Sequence, residues 1–511
     1  MGLTGRDLYL VSPELALAAL ALAVVLLDLV VRRRGAVSAL AVVGLAAPLA
    51  LSAALWGEAH AAEGGALSAF NGALVVDKFA LYFKLLIVGA LALVLLASRG
   101  ALSGYRRETE FIGLVMLSST GLMLLGAAAD LLTLYVALEL ASLPVVALAA
   151  FAVGRERSVE AGMKYLVLSA IASAMLLMGF AYLYGASGTV RVLSPDGSAP
   201  TIAQMLAGGA SADIPFGGYA LMIGVLLTIA GFGFKLSVVP FQMWTPDVYE
   251  GAPTPVGAFL SVASKAAGFA VLLRVLYAAL GAEAMSADWT LLLAILAVVT
   301  MSVGNLVAIA QSNVKRLLGY SAIAQAGYVL IGVAAFAARS QDGGGASLGA
   351  GSVLFYLAGY AAMNLAAFFV VIVVTERTGD ERIEGLAGLG RRSPWLAGVL
   401  AFALLSLTGI PPTAGFMGKL FLFQAAINAD LTWLAVAGAV NSVVSAYYYV
   451  NIIKTMYLRE HDAEGDGGAA RIPVSAAAGA ALALTGAATL ALGVWPGPLF
   501  DAARAAAEGL L

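Results

Sequence analysis

The chain has 511 residues, of which 61% are hydrophobic and only 11% are charged, and its net charge is -2 at neutral pH. Soluble domains are about 25% charged, so this composition excludes an ordinary globular enzyme. The sequence contains no cysteine, which excludes disulfides, iron–sulfur ligation and thiol catalysis within the chain. Its two histidines, His60 and His461, lie in polar segments, so we expect no histidine metal site.

Apolar runs long enough to cross a bilayer, about 20 residues each, repeat from one end of the chain to the other. The first run is too long for the core of a signal peptide, so we interpret it as a retained membrane span. The sequence therefore predicts an all-α integral membrane protein with about 14 transmembrane helices. The predicted spans are 8–31, 36–56, 79–97, 111–129, 131–153, 161–184, 219–244, 254–280, 289–311, 316–338, 348–375, 395–428, 432–457 and 473–496.

The distribution of loop charges predicts the orientation of these spans, because cytoplasmic loops are enriched in lysine and arginine. Loops after even-numbered spans hold mainly acidic residues, with Arg191 and Arg339 as the exceptions. We therefore expect both termini on the non-cytoplasmic side of a bacterial inner membrane. Basic residues follow the odd-numbered spans at Arg32, Arg33, Arg34, Arg99, Arg106, Arg107, Arg155, Arg157, Lys315, Arg316, Arg377, Arg382, Arg391, Arg392, Arg459 and Arg471.

Spans 7 and 12 each combine a lysine with helix-breaking prolines. Lys235 precedes Pro240, and Lys419 follows Pro411 and Pro412. Five spans separate the two breaks, and an odd number of spans places consecutive copies in opposite orientations. This pattern predicts two inverted five-helix repeats with discontinuous helices 7 and 12, a plan found in transporters. The predicted division is a three-helix segment at 1–110, a first repeat at 111–280, a second repeat at 289–457 and a final helix within 473–511.

Four ionisable side chains lie deep in apolar spans: Glu139, Lys235, Lys265 and Lys419. A charge at the bilayer centre costs roughly 2.5–3.5 kcal/mol or more, so such residues usually mark a functional site. The alternatives without a transport function are a glutamate that only joins helices and a lysine that extends to the membrane interface. Buried lysines can lose and regain a proton, whereas arginine cannot. The four residues therefore predict proton movement, with Glu139 and Lys235 as an ion pair.

Other charged residues have simpler interpretations. Lys164 lies near one end of span 6, where coupling to Glu139 and anchoring at the membrane surface are equally consistent with the sequence. We expect Lys84 to extend to the interface from the outer part of span 3. We expect Asp130, Arg274 and Lys454 to be interface anchors.

Several segments around these residues resemble the subunit N family of proton-pumping NADH-quinone oxidoreductase, respiratory complex I, whose mitochondrial counterpart is NADH dehydrogenase subunit 2. The resemblance covers roughly 111–457. The segment at 234–275 is the most specific, because it contains a broken helix, a loop and the next lysine. The matching segments are LYVALELASLPVVALAAF, FKLSVVPFQMWTPDVYEGAPTPVGAFLSVASKAAGFAVLLRV, GNLVAIAQSNVKRLLGYSAIAQAGY and LLSLTGIPPTAGFMGKLFLF.

Departures from the sister subunits support subunit N. Subunits L and M carry a sequence like HxWLPDA in the loop after span 7, whereas the corresponding segment of this chain, FQMWTPD at 241–247, lacks the histidine. Subunit M has glutamate in span 12, where this chain has Lys419. Subunit L has a long lateral helix after its last span, and this sequence stops at Leu511.

The resemblance implies roles for the four buried residues. Glu139 and Lys235 would form the pair of the first half, Lys265 the central relay and Lys419 the site of the second half. It implies no cofactor in this chain, with NAD, FMN, iron–sulfur clusters and quinone bound by partner subunits. It implies other antiporter-like and small helical membrane-arm subunits as partners within the lipid bilayer, and no nucleic acid.

The predicted function is therefore a proton-translocating subunit of a NADH:quinone oxidoreductase, a translocase without redox chemistry in this chain itself. A subunit of a multi-subunit Na⁺/H⁺ antiporter is the alternative, because that class shares the architecture. A third possibility is a membrane scaffold, for which neutral replacements of all four buried charges would be harmless.

Overall fold

The computed structural model describes residues 4–30, 34–61, 65–105, 107–195, 197–209, 217–279, 286–338, 344–460 and 472–510. These residues are predominantly helical, with one short β-hairpin. Arg32, Arg33, Arg106, Arg339, His461 and Arg471 lie outside the described residues, so the predictions made for them have no structural counterpart here.

The N-terminal part combines membrane helices with a two-stranded hairpin that the sequence did not predict. The strands pair in antiparallel register from Ala66 with Asp77 to Ala69 with Leu74. Asp77 ends the second strand and also begins the next helix, because its side chain accepts a hydrogen bond from the Ala80 backbone at 2.7 Å. The elements are α1 (Gly5–Leu10), α2 (Ser12–Val30), α3 (Arg34–Gly44), α4 (Ala46–Ala61), β1 (Ala66–Ala69), β2 (Leu74–Asp77) and α5 (Lys78–Ser103).

The next part of the chain contains the first broken helix. The helix predicted for span 7 stops at Leu236 and resumes at Trp244 as a separate short helix. The following span, Thr254–Ala278, is continuous but includes a π-helical turn at Leu260–Ser264. The helices are α6 (Glu108–Ala127), α7 (Leu131–Ala149), α8 (Glu156–Ser187), α9 (Ile202–Ala207), α10 (Gly217–Leu236), α11 (Trp244–Gly251), α12 (Thr254–Phe259) and α13 (Lys265–Ala278).

The last part contains the second broken helix. Predicted span 12 is two helices of 15 residues each, separated by the segment that contains Pro411 and Pro412. The helices are α14 (Ser286–Ile309), α15 (Val314–Ala338), α16 (Gly344–Thr378), α17 (Leu389–Arg392), α18 (Pro394–Thr408), α19 (Ala414–Asn428), α20 (Thr432–Leu458), α21 (Ala476–Val494) and α22 (Gly497–Glu508).

The described residues include 13 helices that are long and apolar enough to cross a membrane. Together with the broken pair α18 and α19, they correspond one to one with the predicted spans. The all-α membrane fold and the discontinuous helices 7 and 12 are therefore confirmed. The inversion of the two repeats and the division of the chain into four parts stay predictions.

Burial separates central helices from lipid-facing ones. In the most apolar stretches of Thr254–Ala278 and Ser347–Thr378, 100% and 94% of the residues are buried, against 28% in Glu156–Ser187. The helix that carries Lys265 is therefore enclosed by protein on all sides. A long side chain at its centre has no route to the membrane surface, so its charge must be accommodated within the protein.

Two buried ion pairs hold the N-terminal helices to the bundle. Arg274 of α13 binds Asp77 through two hydrogen bonds of 2.9 Å each, and its guanidinium lies 4.9 Å from the centre of the Phe79 ring. Lys84 of α5 lies 2.7 Å from a carboxylate oxygen of Glu14 in α2. All four charged side chains are at most 3% exposed. The predictions that Lys84 extends to the interface and that Arg274 is an interface anchor are therefore wrong, because each has a buried acidic partner.

The other two predicted interface anchors are Asp130 and Lys454. Asp130 begins α7, and its side chain accepts hydrogen bonds from the backbones of Leu132 and Thr133 at 2.9 and 2.8 Å. Lys454 is exposed on α20. A helix-capping role therefore accounts for Asp130.

The Asp77–Arg274 pair generates a stability prediction. We expect Asp77→Asn to destabilise the protein by about 3–5 kcal/mol, because it leaves the Arg274 charge buried without its counter-charge. Unfolding of the purified protein in detergent measures the effect. The control is Glu460→Gln, which removes the partner of Arg391 from an ion pair that is more than three-quarters exposed and should change little. Equal unfolding transitions for the two variants would contradict the prediction.

Candidate functional site

Glu139 lies in the middle of α7 and is partly buried. Its carboxylate accepts a short hydrogen bond from the hydroxyl of Ser173 in the neighbouring helix α8. Ser142 lies three residues further along α7, so it faces the same side of the helix as Glu139. This face of α7 therefore presents a carboxylate and a hydroxyl next to each other.

Lys235 lies in the last turn of α10 and is 3% exposed. Its ammonium donates a hydrogen bond of 3.1 Å to the Ser142 hydroxyl. Lys235 and Glu139 do not form a direct ion pair in the described structure, and Lys235 instead contacts α7 about one turn from Glu139, at Ser142. The structure thus brings together the two residues predicted as a pair, with each of them held by a serine.

Helix α10 ends at Leu236, one residue after Lys235. Ser237 adopts a left-handed backbone conformation with φ of 62° and ends the helical path. The Trp244 indole donates a hydrogen bond of 2.8 Å to the Phe234 carbonyl, and the Thr245 hydroxyl donates one of 2.6 Å to the Ser237 hydroxyl. Side chains of α11 therefore form hydrogen bonds with some of the polar groups that the break leaves without a partner within the helix.

Lys265 satisfies another of the polar groups at this break. It is 3% exposed, and its ammonium donates a hydrogen bond of 2.9 Å to the Leu236 carbonyl at the end of α10. A cation at this position is favourable because the C-terminus of a helix carries partial negative charge. Gly268, one turn further along α13, lets the two helices approach, since a Cβ there would lie only 2.8 Å from Cδ2 of Leu236.

The π-helical turn at Leu260–Ser264 ends directly before Lys265. Such turns are rare and are often found at functional sites, because the extra residue changes the direction of the side chains that follow. Here it coincides with the contact between Lys265 and the broken end of α10.

Lys419 makes the same kind of contact at the second break. Its ammonium donates hydrogen bonds to the carbonyls of Leu407 and Thr408 at 3.2 and 2.9 Å, and to the Ser442 hydroxyl at 3.0 Å. It also lies 4.2 Å from the centre of the Tyr328 ring, within the range of a cation–π interaction. Lys419 is 4% exposed. In the described structure neither Lys265 nor Lys419 has a carboxylate partner, so dipoles and the aromatic ring alone balance their charge.

Lys164 lies apart from this group. Its ammonium pairs with Asp247 of α11 at 2.6 Å and with Glu160 at 2.7 Å, and it makes no ion pair with Glu139 in the described structure. Arg316 of α15 also binds Asp247, at 2.6 Å, and reaches Glu250 at 2.9 Å. We call Arg157, Glu160, Lys164, Asp247, Glu250 and Arg316 the α11 charge cluster. They line a cavity of about 220 Å³.

The α11 charge cluster connects α11 to both halves of the protein. Lys164 belongs to α8 and Arg316 to α15, and both bind the same carboxylate of Asp247. Partial burial raises the pKa of Asp247, but hydrogen bonds from Lys164 and Arg316 outweigh it and hold that pKa below its usual range. Asp247 is thus a charged link between two predicted repeats. The sequence marked Lys164 but gave no signal for its partner.

Comparison with known proteins shows extensive similarity. Residues 128–445 match the family model described as NADH:quinone oxidoreductase/Mrp antiporter, TM. The chain is 40% identical over 518 aligned positions to NADH-quinone oxidoreductase subunit N of Desulfitobacterium hafniense, with 99% of each chain covered. It is 32% identical to a chain of respiratory complex I from Thermus thermophilus, with a TM-score of 0.75 and coverage of 96% of this chain and 98% of that one.

The fold is also shared more widely. A chain of the Mrp complex from Dietzia superposes with a TM-score of 0.81 over 99% of this chain and 98% of that one. The sequence identity is 21%, so this likeness concerns the fold alone.

The α11 charge cluster predicts a pH dependence of stability. Because the folded-state pKa of Asp247 is lowered, its ionised form stabilises the protein above the ordinary aspartate pKa of about 3.9, and this contribution is lost as the pH falls. We expect Asp247→Asn to reduce the stability at pH 6 and to flatten its decline as the pH falls from about 4 to about 2. Thermal unfolding in detergent across this range measures both effects. A variant with the decline of the unmodified protein would contradict the assignment, and Glu460→Gln at the exposed pair is the control.

Proposed function

The chain belongs to the NADH:quinone oxidoreductase/Mrp antiporter membrane family, and from this membership we propose that it is a proton-translocating membrane-arm subunit of a NADH:quinone oxidoreductase. Its 40% identity to a subunit N over almost the full length of both chains supports the assignment to this complex. The observation that carries the proton-moving role is the pair of buried lysines, Lys265 and Lys419, each bound to the open end of a broken helix. An ammonium held by carbonyl groups can release its proton and still leave these groups in place.

The proposed relay runs in the order Glu139 and Lys235, Lys265, Lys419. The first step is local, because Lys235 lies in the last turn of α10 and Lys265 binds the end of the same helix. Lys235 precedes Leu236, and Lys265 binds the carbonyl of Leu236. Since like charges repel, a positive charge on Lys235 favours release of the proton from Lys265. That proton would then reach Lys419 in the second half.

The serine contacts supply the switch that this relay needs. Ser173 holds Glu139, and Ser142 holds Lys235. If these side chains exchange their serine contacts for a direct ion pair, Lys235 is drawn towards Glu139 and its effect on Lys265 falls. We propose that chemistry at the quinone, in another subunit, biases this exchange.

Lys164 has a positioning role in this proposal rather than a place in the relay. Together with Arg316 it fixes Asp247, and thereby the start of α11 after the break. The position of α11 in turn fixes Trp244, which binds the end of α10 beside Lys235.

The remaining chemistry of the complex would lie in partner subunits. We propose that NAD, FMN, iron–sulfur clusters and quinone bind there, and that this chain acts only on protons. Its neighbours would be other antiporter-like subunits and small helical subunits of the membrane arm. In a bacterial inner membrane, both termini would face away from the cytoplasm, and the α11 charge cluster would face the cytoplasm.

A subunit of a multi-subunit Na⁺/H⁺ antiporter is the alternative, because the family model covers both kinds of complex. The genes beside the coding sequence distinguish them. Redox subunits favour the first proposal, and small antiporter subunits without redox partners favour the second.

The relay predicts the effect of a single substitution. We expect Lys265→Ala to remove the protons that this chain moves for each NADH oxidised, because the central proton carrier is lost. Membrane vesicles with the assembled complex allow proton uptake and NADH oxidation to be measured together. Blue-native electrophoresis and NADH oxidation with an artificial acceptor verify the assembly.

The control is Lys454→Ala, which removes an exposed lysine of α20 and should leave the ratio of protons to NADH unchanged. If the assembled Lys265→Ala complex moves as many protons per NADH oxidised as this control does, the relay is excluded. Harmless neutral replacements of all four buried residues would instead support a scaffold role.

A further inference from the structure

Lys315 is a buried lysine that the relay described above does not use. It lies in the first turn of α15, and the pattern of loop charges placed it among the basic residues that follow span 9. In the structure it is only 1% exposed, so it is not an ordinary loop charge. A buried ammonium is costly unless it is paired and hydrogen-bonded, and its partners therefore indicate its role.

The first partner of Lys315 is a backbone carbonyl at the end of a helix. The Lys315 ammonium donates a hydrogen bond of 3.0 Å to the carbonyl of Ala252, the residue that follows α11. Carbonyls at the C-terminus of a helix lack a donor within the helix and carry partial negative charge. Lys265 and Lys419 bind the same kind of group at the ends of α10 and α18. A third lysine therefore binds the far end of the first broken helix.

The second partner distinguishes Lys315 from the lysines at the two breaks. Its ammonium lies 3.0 Å from a carboxylate oxygen of Glu381, in the segment between α16 and α17. The side chain of Asn313 donates a hydrogen bond of 3.4 Å to the other oxygen of Glu381, and the backbone of Val314 donates one of 2.8 Å to the Glu381 carbonyl. Lys315 thus has a fixed counter-charge, which the lysines at the breaks lack among the described residues. This arrangement suits a charge that stays in place.

The next residue of α15 holds the other end of α11. Arg316 binds Asp247 in the first turn of α11, whereas Lys315 binds the carbonyl that follows the last turn. Between these two contacts the helices lie close together, since a Cβ at Gly319 would lie 3.3 Å from Cα of Pro246. Two adjacent residues of α15 therefore hold both ends of a helix of 8 residues.

The end of α11 leads directly into the span that carries Lys265. Only Pro253 separates Ala252 from the start of α12 at Thr254. A helix rises about 1.5 Å per residue, so Lys265 lies about 20 Å along the span from Ala252. Rigid helices transmit displacements, so a shift of Ala252 changes the position of Lys265 relative to Leu236. A misplacement of roughly 1 Å can slow a reaction about 100-fold.

We propose that Lys315 is a positioning residue for the proton relay: it binds the Ala252 carbonyl, holds α11 to α15 and thereby sets the position of Lys265 against the end of α10. This inference rests on the proposed function and adds a residue that acts without carrying a proton. Glu381 balances the charge of Lys315 and directs its ammonium at the carbonyl. Loss of the ammonium would release the junction of α11 and α12 and leave every residue of the relay in the chain.

Three variants in vesicles with the assembled complex test this role. The measured quantity is the proton uptake per NADH oxidised in excess of that of Lys265→Ala, which gives the contribution of this chain. We expect Lys315→Met to lower this contribution about tenfold, because methionine cannot donate to the carbonyl. Glu381→Gln retains the contact of Lys315 with the carbonyl, so we expect a smaller loss. The control is Arg382→Gln in the same segment, whose pair with Asp380 is 66% exposed on the arginine side and should contribute little.

Hydrogen exchange in residues 244–259 of the assembled complex measures the position of α11 and α12 separately from proton movement. We expect faster exchange in Lys315→Met than in Arg382→Gln, because α11 is no longer held at its end. Lys315→Arg separates positioning from proton transfer, since arginine donates hydrogen bonds but cannot release a proton. If its proton uptake follows its exchange, with both retained or both altered, the positioning role is supported. Normal exchange with lost proton uptake would make Lys315 a proton carrier and overturn the proposal.

Two further outcomes are defined by the same assay. If Lys265→Ala removes the contribution of this chain while Lys315→Met retains as much as Arg382→Gln, the relay stands and only the positioning role fails. If Lys265→Ala moves as many protons as the unmodified complex, the proposed function fails and the positioning role fails with it.

A cryo-EM map of the unmodified complex covers the case in which the Lys315 variants do not assemble. A Lys315 ammonium within hydrogen-bond distance of both the Ala252 carbonyl and Glu381 supports the positioning role. A side chain directed away from this carbonyl overturns it.

Discussion

The rest of this structure depends on how a helix can be interrupted inside a membrane. A break leaves carbonyl groups without intrahelical donors, and hydrocarbon offers no water to replace them. In both broken helices one of the replacement donors is a lysine: Lys265 at the end of α10 and Lys419 at the end of α18. The cost of burying each ammonium and the cost of leaving each carbonyl unpaired therefore offset one another. This mutual dependence explains why charges persist in spans that are otherwise apolar.

The surrounding scaffold fixes the elements that adjoin the first break. The α11 charge cluster binds the half-helix after the first break to α8 and α15. In the span that follows α11, the Asp77–Arg274 pair joins α13 to the β-hairpin and to the start of α5. The span that carries Lys265 is thus fixed by charged contacts just before its start and near its end, while its central lysine binds a backbone carbonyl. A span with fixed ends and a central lysine that lacks a counter-charge suits a side chain that must gain and lose a proton.

Length and composition predicted the membrane spans well, because about 20 apolar residues are needed wherever a helix crosses a bilayer. Prolines beside Lys235 and Lys419 predicted the two breaks for a similar reason, since the signal lies within a few neighbouring residues. Interactions between distant segments were not predicted. Arg274 and Asp77 lie 197 residues apart, and nothing near Arg274 indicates an acidic partner. Likewise, the hydrogen bond between Lys235 and Ser142 joins two helices that are distant in the sequence, so neither residue indicated the other.

The π-helical turn at Leu260–Ser264 amounts to a single-residue insertion in an otherwise regular helix. One residue corresponds to about 100° of rotation. Without the turn, Ser261 and Lys265 would be related by ordinary helical geometry, and the two sides of the span would face different directions. Either the contact of Ser261 with Asn364 or the contact of Lys265 with Leu236 could then be kept, but not both. A residue inserted into or deleted from this part of the span would therefore change which of its two faces keeps its hydrogen-bond partner.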